Sequence, residues 1–85
     1  MSLRDDIWKQ LKGMSVDELI SALLKDGFVL DAIVRTQRIY RHDDGRKVSI
    51  HYHSGRRTYG PGLLKALLKD VAWTEKDLRR LKLIR

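Results

Sequence analysis

From Lys47 to His53 apolar and polar residues alternate. Val48, Ile50 and Tyr52 share one side of an extended chain, and Lys47, Ser49, His51 and His53 share the other. Strand side chains repeat every two residues, so the segment predicts a strand with one packed face and one face open to solvent or ligand. Arg38 to His42 supplies a preceding strand, and Asp43-Asp44-Gly45 between the two supplies the positive φ of a tight hairpin turn. Phe28 to Val34, rich in β-formers apart from Asp31 and Ala32, predicts a first strand, which completes a three-stranded antiparallel meander.

On either side of these strands the period changes to that of a helix. Ser15-Val16-Asp17-Glu18 is a capping box that opens a helix through Leu19, Ile20, Leu23 and Leu24, and Gly27 closes it. Gly60-Pro61-Gly62 ends the strand pattern and starts a second helix, since proline is preorganised for the first helical position. Its core-facing stripe is Leu63, Leu64, Leu67, Leu68 and Val71. Two shorter helices flank this unit. Residues 2–12 carry Ile7, Trp8 and Leu11 as an apolar stripe that docks Trp8 onto the body, and Thr74 with Asp77 caps a final helix from Glu75 to about Leu83. The expected fold is α+β: a three-stranded antiparallel sheet with both main helices on one face, leaving the other face free. Residues 15–71 form the core of this single domain, 2–12 an accessory helix and 72–85 a basic C-terminal helix.

At 85 residues the chain holds one core and no second domain. It contains no cysteine, which excludes disulfides and thiolate metal sites. There is no charged leader followed by an apolar core, and no apolar run approaches the roughly 18 residues that span a bilayer. A cytoplasmic location without membrane association is the expectation.

Charge sharpens the picture. The net charge of +7 is unevenly placed: residues 1–34 carry −2, 35–57 carry +5, 58–75 balance, and 76–85 carry +4. The hairpin segment holds all three histidines together with Arg35, Arg38, Arg41, Arg46, Lys47, Arg56 and Arg57. Such concentration is the footprint expected of a phosphate-binding surface, and these seven cations are the candidate RNA contacts. Gly60-Pro61-Gly62 is a helix start and lacks the spacing of a P-loop. Asp43 and Asp44 are turn residues. Arg79, Arg80, Lys82 and Arg85 are either a second phosphate contact or the polar, dipole-matched end of the last helix.

Taken in order, Leu19 to Leu24 with Lys25-Asp26-Gly27-Phe28-Val29-Leu30, Ile39-Tyr40-Arg41-His42 with Asp44-Gly45-Arg46, Val48 to His53, and Gly60-Pro61-Gly62-Leu63-Leu64 resemble the HicA toxins. These are the messenger-RNA endonucleases of bacterial and archaeal toxin–antitoxin pairs. The resemblance covers about two-thirds of the chain. It implies a fold like the double-stranded-RNA-binding domain, an RNA substrate and a HicB-like antitoxin partner. The family's presumed catalytic histidine lies just before the Ile-Tyr of the second strand. Here Arg35-Thr36-Gln37 occupies that stretch, and the Gln37 amide exchanges no proton near neutral pH.

RNA cleavage without a metal needs a base for the ribose 2′-hydroxyl, an acid for the leaving 5′-oxygen and cations for the phosphate. Histidine suits both proton transfers, and arginine forks suit phosphate. His53 falls where the family commonly has a histidine after the third strand. His53 and His51 are therefore the candidate catalytic residues, with Tyr59 as a further hydroxyl. The metal reading is weaker: His51 and His53 make half a site that only His42 extends across the hairpin. No metal or small-molecule cofactor is expected. Two functional classes remain open: an RNA-cleaving HicA-like toxin, or an inactive relative that binds RNA or a protein partner through the same surface.

Overall fold

The computed structural model describes residues 4–85. Seven elements follow in order: α1 (Asp5–Leu11), α2 (Val16–Lys25), β1 (Val29–Val34), β2 (Gln37–Arg41), β3 (Lys47–His51), α3 (Pro61–Val71) and α4 (Glu75–Arg80). The strands form one antiparallel sheet in the order β1-β2-β3. This is the α-β-β-β-α arrangement of the double-stranded-RNA-binding type, with a short helix added at each end. No helix among the described residues is long and apolar enough to cross a membrane.

The capping box at Ser15 forms, and the N-cap at Thr74 is a second one. Ser15 Oγ accepts from the Glu18 amide while Glu18 reaches back to the Ser15 amide, and Thr74 and Asp77 do the same for α4. Gly27 follows the end of α2 at a φ of +101°, and its amide bonds to the Leu24 carbonyl. A side chain at Gly27 is excluded twice, by that φ and by His42, whose Nε2 stands 3.0 Å from where a Cβ would lie.

Register divides the sheet residues between two faces. Tyr40 pairs with Val48, and Arg38 with Ile50. Tyr40, Val48 and Ile50 are buried in one core with Val16, Leu19, Ala22 and Leu23 of α2, Phe28, and Leu64, Leu67, Leu68 and Val71 of α3. The other face carries the rows Val29–Arg41–Lys47, Ala32–Ile39–Ser49 and Val34–Gln37–His51.

Several expectations need correction. The leading helix covers Asp5–Leu11; residues 2 and 3 of the expected span lie outside the described residues. Ile7 and Leu11 are its buried members, while Trp8 is half-buried with Lys65 Nζ 5.5 Å from its ring centroid. Leu24, among the apolar residues read along α2, and Leu63, assigned to the core-facing stripe of α3, are exposed at the margins of their helices, and Val16 and Ala22 complete the buried face of α2 instead. The first strand starts at Val29, because Phe28 turns into the core. β2 stops at Arg41 and β3 at His51, one and two residues short of expectation. In the hairpin turn only Gly45 has positive φ (+98°), and the Asp44 carboxylate accepts from both the Arg46 amide and its guanidinium. The final helix ends at Arg80, with Leu81 and Ile84 still buried beyond it.

Candidate functional site

The open face of the sheet gathers its chemistry at one end. There the two-residue turn Arg35-Thr36 joins β1 to β2, with Arg35 at a φ of +57°. The Tyr52 amide donates to the Thr36 carbonyl at 2.8 Å, so the chain leaving β3 is laced to that turn. Beyond β3, the loop of residues 52–60 folds back on the start of α2. Asp17 and Val16 donate their amides to the Gly55 and Arg57 carbonyls, Tyr52 donates its hydroxyl to Asp17, and Ser15 and Thr58 form a bridge. The free amides at the start of α2 are thereby used, and exposed Arg56 and Arg57 are carried to the same end as the turn.

Gln37 and His51 are direct cross-strand partners. Such partners hold their Cβ atoms about 4.5–5.5 Å apart. The Gln37 side chain is fixed by a 2.8 Å hydrogen bond from Ser49 Oγ to its Oε1. His51 Nε2 lies 3.2 Å from Thr36 Oγ1, and its ring centroid is 4.3 Å from that of His53. Both imidazoles are exposed. Thus the position at which the resemblance places a catalytic histidine holds an amide, and an imidazole stands directly opposite.

The expected phosphate cations separate into groups. Arg35, Arg56 and Arg57 are exposed at the histidine end. Arg41 and Lys47 share the open face but form the row at its far end, about 14 Å away along the strand. The Arg41 guanidinium is paired with Asp31 at 2.6 Å. Arg38 belongs to the helix-facing side, its guanidinium 3.9 Å from the Tyr52 ring centroid. Arg46 is committed to the fold: it bonds Asp44, Asp26 and the Val71 carbonyl and lies over Phe28. His42 does not join the other two histidines. Its Nε2 donates to the Asp26 carbonyl at 2.7 Å, its Nδ1 accepts from the Asp44 amide, and its ring meets Phe28 edge-on at the opposite end of the hairpin. Tyr59 is also removed from proton transfer. Its hydroxyl is buried without a hydrogen-bond partner among the described residues, and burial pushes the phenol up despite the opposing Arg57 charge.

Sequence reasoning missed one polar cluster. Asp26, at the end of α2, accepts from Trp73 Nε1 at 2.8 Å and Arg80 at 2.6 Å, and pairs with Arg46 at 3.1 Å. Burial by itself would raise this carboxyl, but the Trp73 bond and the two guanidiniums outweigh it and hold it below the ordinary value. Arg79 bonds Glu75, and Arg80 bonds Asp77 as well as Asp26, so those tail cations serve the fold. The partners of Asp26 lie 20, 47 and 54 positions away, beyond any local pattern.

A family model described as the HicA toxin of bacterial toxin–antitoxin systems matches residues 16–73, from the first residue of α2 to the corner after α3. No curated protein matches the chain.

Proposed function

Because the chain belongs to the HicA toxin family, we propose that it is an endoribonuclease that cleaves messenger RNA by acid–base chemistry on the open face of its sheet. The observation that carries this reading is His51 directly across the hairpin from Gln37. One of His51 and His53 takes the proton of the ribose 2′-hydroxyl, whose oxygen attacks the adjacent phosphorus. The other gives a proton to the departing 5′-oxygen, leaving a 2′,3′-cyclic phosphate. Thr36 holds His51 by its Nε2 and so fixes the ring nitrogen presented to substrate.

Arg35, Arg56 and Arg57 hold the scissile phosphate, and Lys47 with Arg41 tracks the backbone along the face. Arg38 and Arg46 drop out of that surface. Residues 15–71 carry the chemistry, and the helices at either end serve stability. The protein acts in the cytoplasm and is held in check by a HicB-like antitoxin.

A second reading, an inactive relative that binds RNA, is favoured by the Ser49–Gln37 bond, which ties the amide at the family's catalytic position to a neighbour with no proton to exchange. Cleavage of a labelled structured messenger RNA in chelator separates the two. The nuclease reading expects turnover that falls about 10²–10⁴-fold in His51→Ala. RNA bound on a native gel but left intact by the wild type and by His51→Ala and His53→Ala alike leaves the second reading.

A further inference from the structure

β1 has the composition of an interior strand and the position of an edge. Val29, Leu30, Ile33 and Val34 are 60%, 45%, 60% and 55% exposed. They lie on both faces: Leu30 and Ile33 share the helix-side register of Tyr40 and Arg38, while Val29 and Val34 share the open-face register of Arg41 and Gln37. Strands apolar on both faces are ordinarily covered on both sides. Among the described residues, β1 has β2 on one side and no strand on the other. Among the described residues, no backbone group of 29–34 bonds outside the β1–β2 ladder.

The edge is poorly suited to a second copy of the chain. Two copies bring +7 to +7, and the ladder is irregular at Asp31, between Leu30 and Ala32. Like charge and a bulge are both devices by which edge strands resist self-pairing. The one carboxylate on β1 is neutralised by Arg41, and the exposed Arg35 follows the strand directly. An apolar edge set in positive charge complements an extended segment that is apolar and acidic.

We infer that β1 is the docking edge for the antitoxin, which contributes an extended acidic segment as a fourth strand beside it. Main-chain bonds to β1 supply the pairing, and apolar side chains of the partner cover Leu30 and Ile33. This rests on the toxin–antitoxin part of the proposed function and is independent of its catalytic part.

The test uses the full chain and, as probe, a purified HicB-like antitoxin. Hydrogen exchange is read on the chain alone and in complex, and affinity is measured for wild type and the Leu30→Ser/Ile33→Ser double variant. The expected result is at least tenfold slower exchange of the amides of residues 29–34 in the complex, and at least a hundredfold weaker binding by the double variant. If that variant does not fold, the exchange measurement on wild type decides. A complex that leaves the 29–34 amides unprotected overturns the inference. So does unchanged affinity in a folded variant, or a wild-type dimer by sedimentation that the variant dissolves. Absence of any complex overturns this inference and the toxin–antitoxin reading together. Docking at β1 by a chain that cleaves no RNA supports the inference and overturns only the catalytic reading.

Discussion

β1 and β3 are the two outer strands of one sheet, and they are built on opposite plans. β3 reads Lys-Val-Ser-Ile-His, with Val48 and Ile50 fully buried and the three polar side chains exposed. β1 reads Val-Leu-Asp-Ala-Ile-Val and buries none of its side chains completely. β3 is also fastened at both ends: its hairpin turn through Arg46 to Asp26, and its exit through Tyr52 to Thr36 and Asp17. A strand with one face packed and both ends fastened can hold reactive groups in fixed geometry, which is what proton transfer requires. A strand with apolar side chains on both faces and a free edge holds its binding capacity in reserve. The proposed function and the proposed docking edge would thus divide chemistry and recognition between the margins of one small sheet.

The largest expected effect tests the chemical side of that division. His51→Ala on β3 lowers RNA cleavage by about 10²–10⁴-fold without loss of fold, whereas Ile33→Ala on β1 leaves the rate within about twofold; single-turnover assays on one labelled RNA read both. Next comes packing. Ile50→Ala empties a fully buried site and costs about 2–5 kcal/mol, while Ile33→Ala changes stability by no more than about 0.5 kcal/mol in urea titrations. Equal losses at the two isoleucines would mean that β1 is covered in the isolated chain, and the contrast would fail.

How these strands were legible in the sequence follows the same line. β3 is legible because alternation reports burial on one face, and α2 and α4 because their N-terminal caps are local chemistry at a spacing of three residues. The pairing of His51 with Gln37 depends on hairpin register, which the sequence constrains through the turn but does not display. β1 is legible as a strand, yet its exposure is not, since an apolar run gives the same signal whether a partner is folded in the same chain or supplied by another. The Asp26 cluster was hidden for a different reason: Arg46, Trp73 and Arg80 converge on it only after the helices have packed. The same packing turned Leu24 and Leu63 outward, each a step beyond the true edge of an apolar stripe.

The Asp26 cluster fastens the start of β3 and has no counterpart on β1. Asp26→Asn removes charge-assisted bonds from a carboxyl whose side chain is only 7% exposed, an expected loss of about 2 kcal/mol at pH 7. The native carboxyl titrates below its ordinary value, so its stabilisation is complete above the unfolded-state pKa of about 3.9 and drains away as pH falls toward the depressed native value. The stability difference between wild type and Asp26→Asn therefore shrinks below about pH 4, as thermal melts from pH 3 to 7 would record. A difference constant across that range would show that the carboxylate charge contributes nothing to fastening β3.

The smallest effects have opposite signs on the two strands. Lys47 lies on the open face of β3, and Lys47→Ala should flatten the dependence of RNA affinity on salt by about one unit of slope, one released counterion fewer. Asp31 on β1 acts the other way, because its carboxylate occupies the Arg41 guanidinium at 2.6 Å while both side chains remain about half exposed. An exposed pair of this kind contributes little to stability, so Asp31→Asn changes the melt by little. It removes a carboxylate that competes with phosphate for Arg41, and the salt slope should steepen by up to about one unit. If Asp31→Asn leaves the slope untouched while Lys47→Ala flattens it, RNA tracks β3 without reaching Arg41 on β2. The phosphate path then meets β1 only at its Arg35 end, leaving the edge from Val29 accessible to an antitoxin even while RNA is bound.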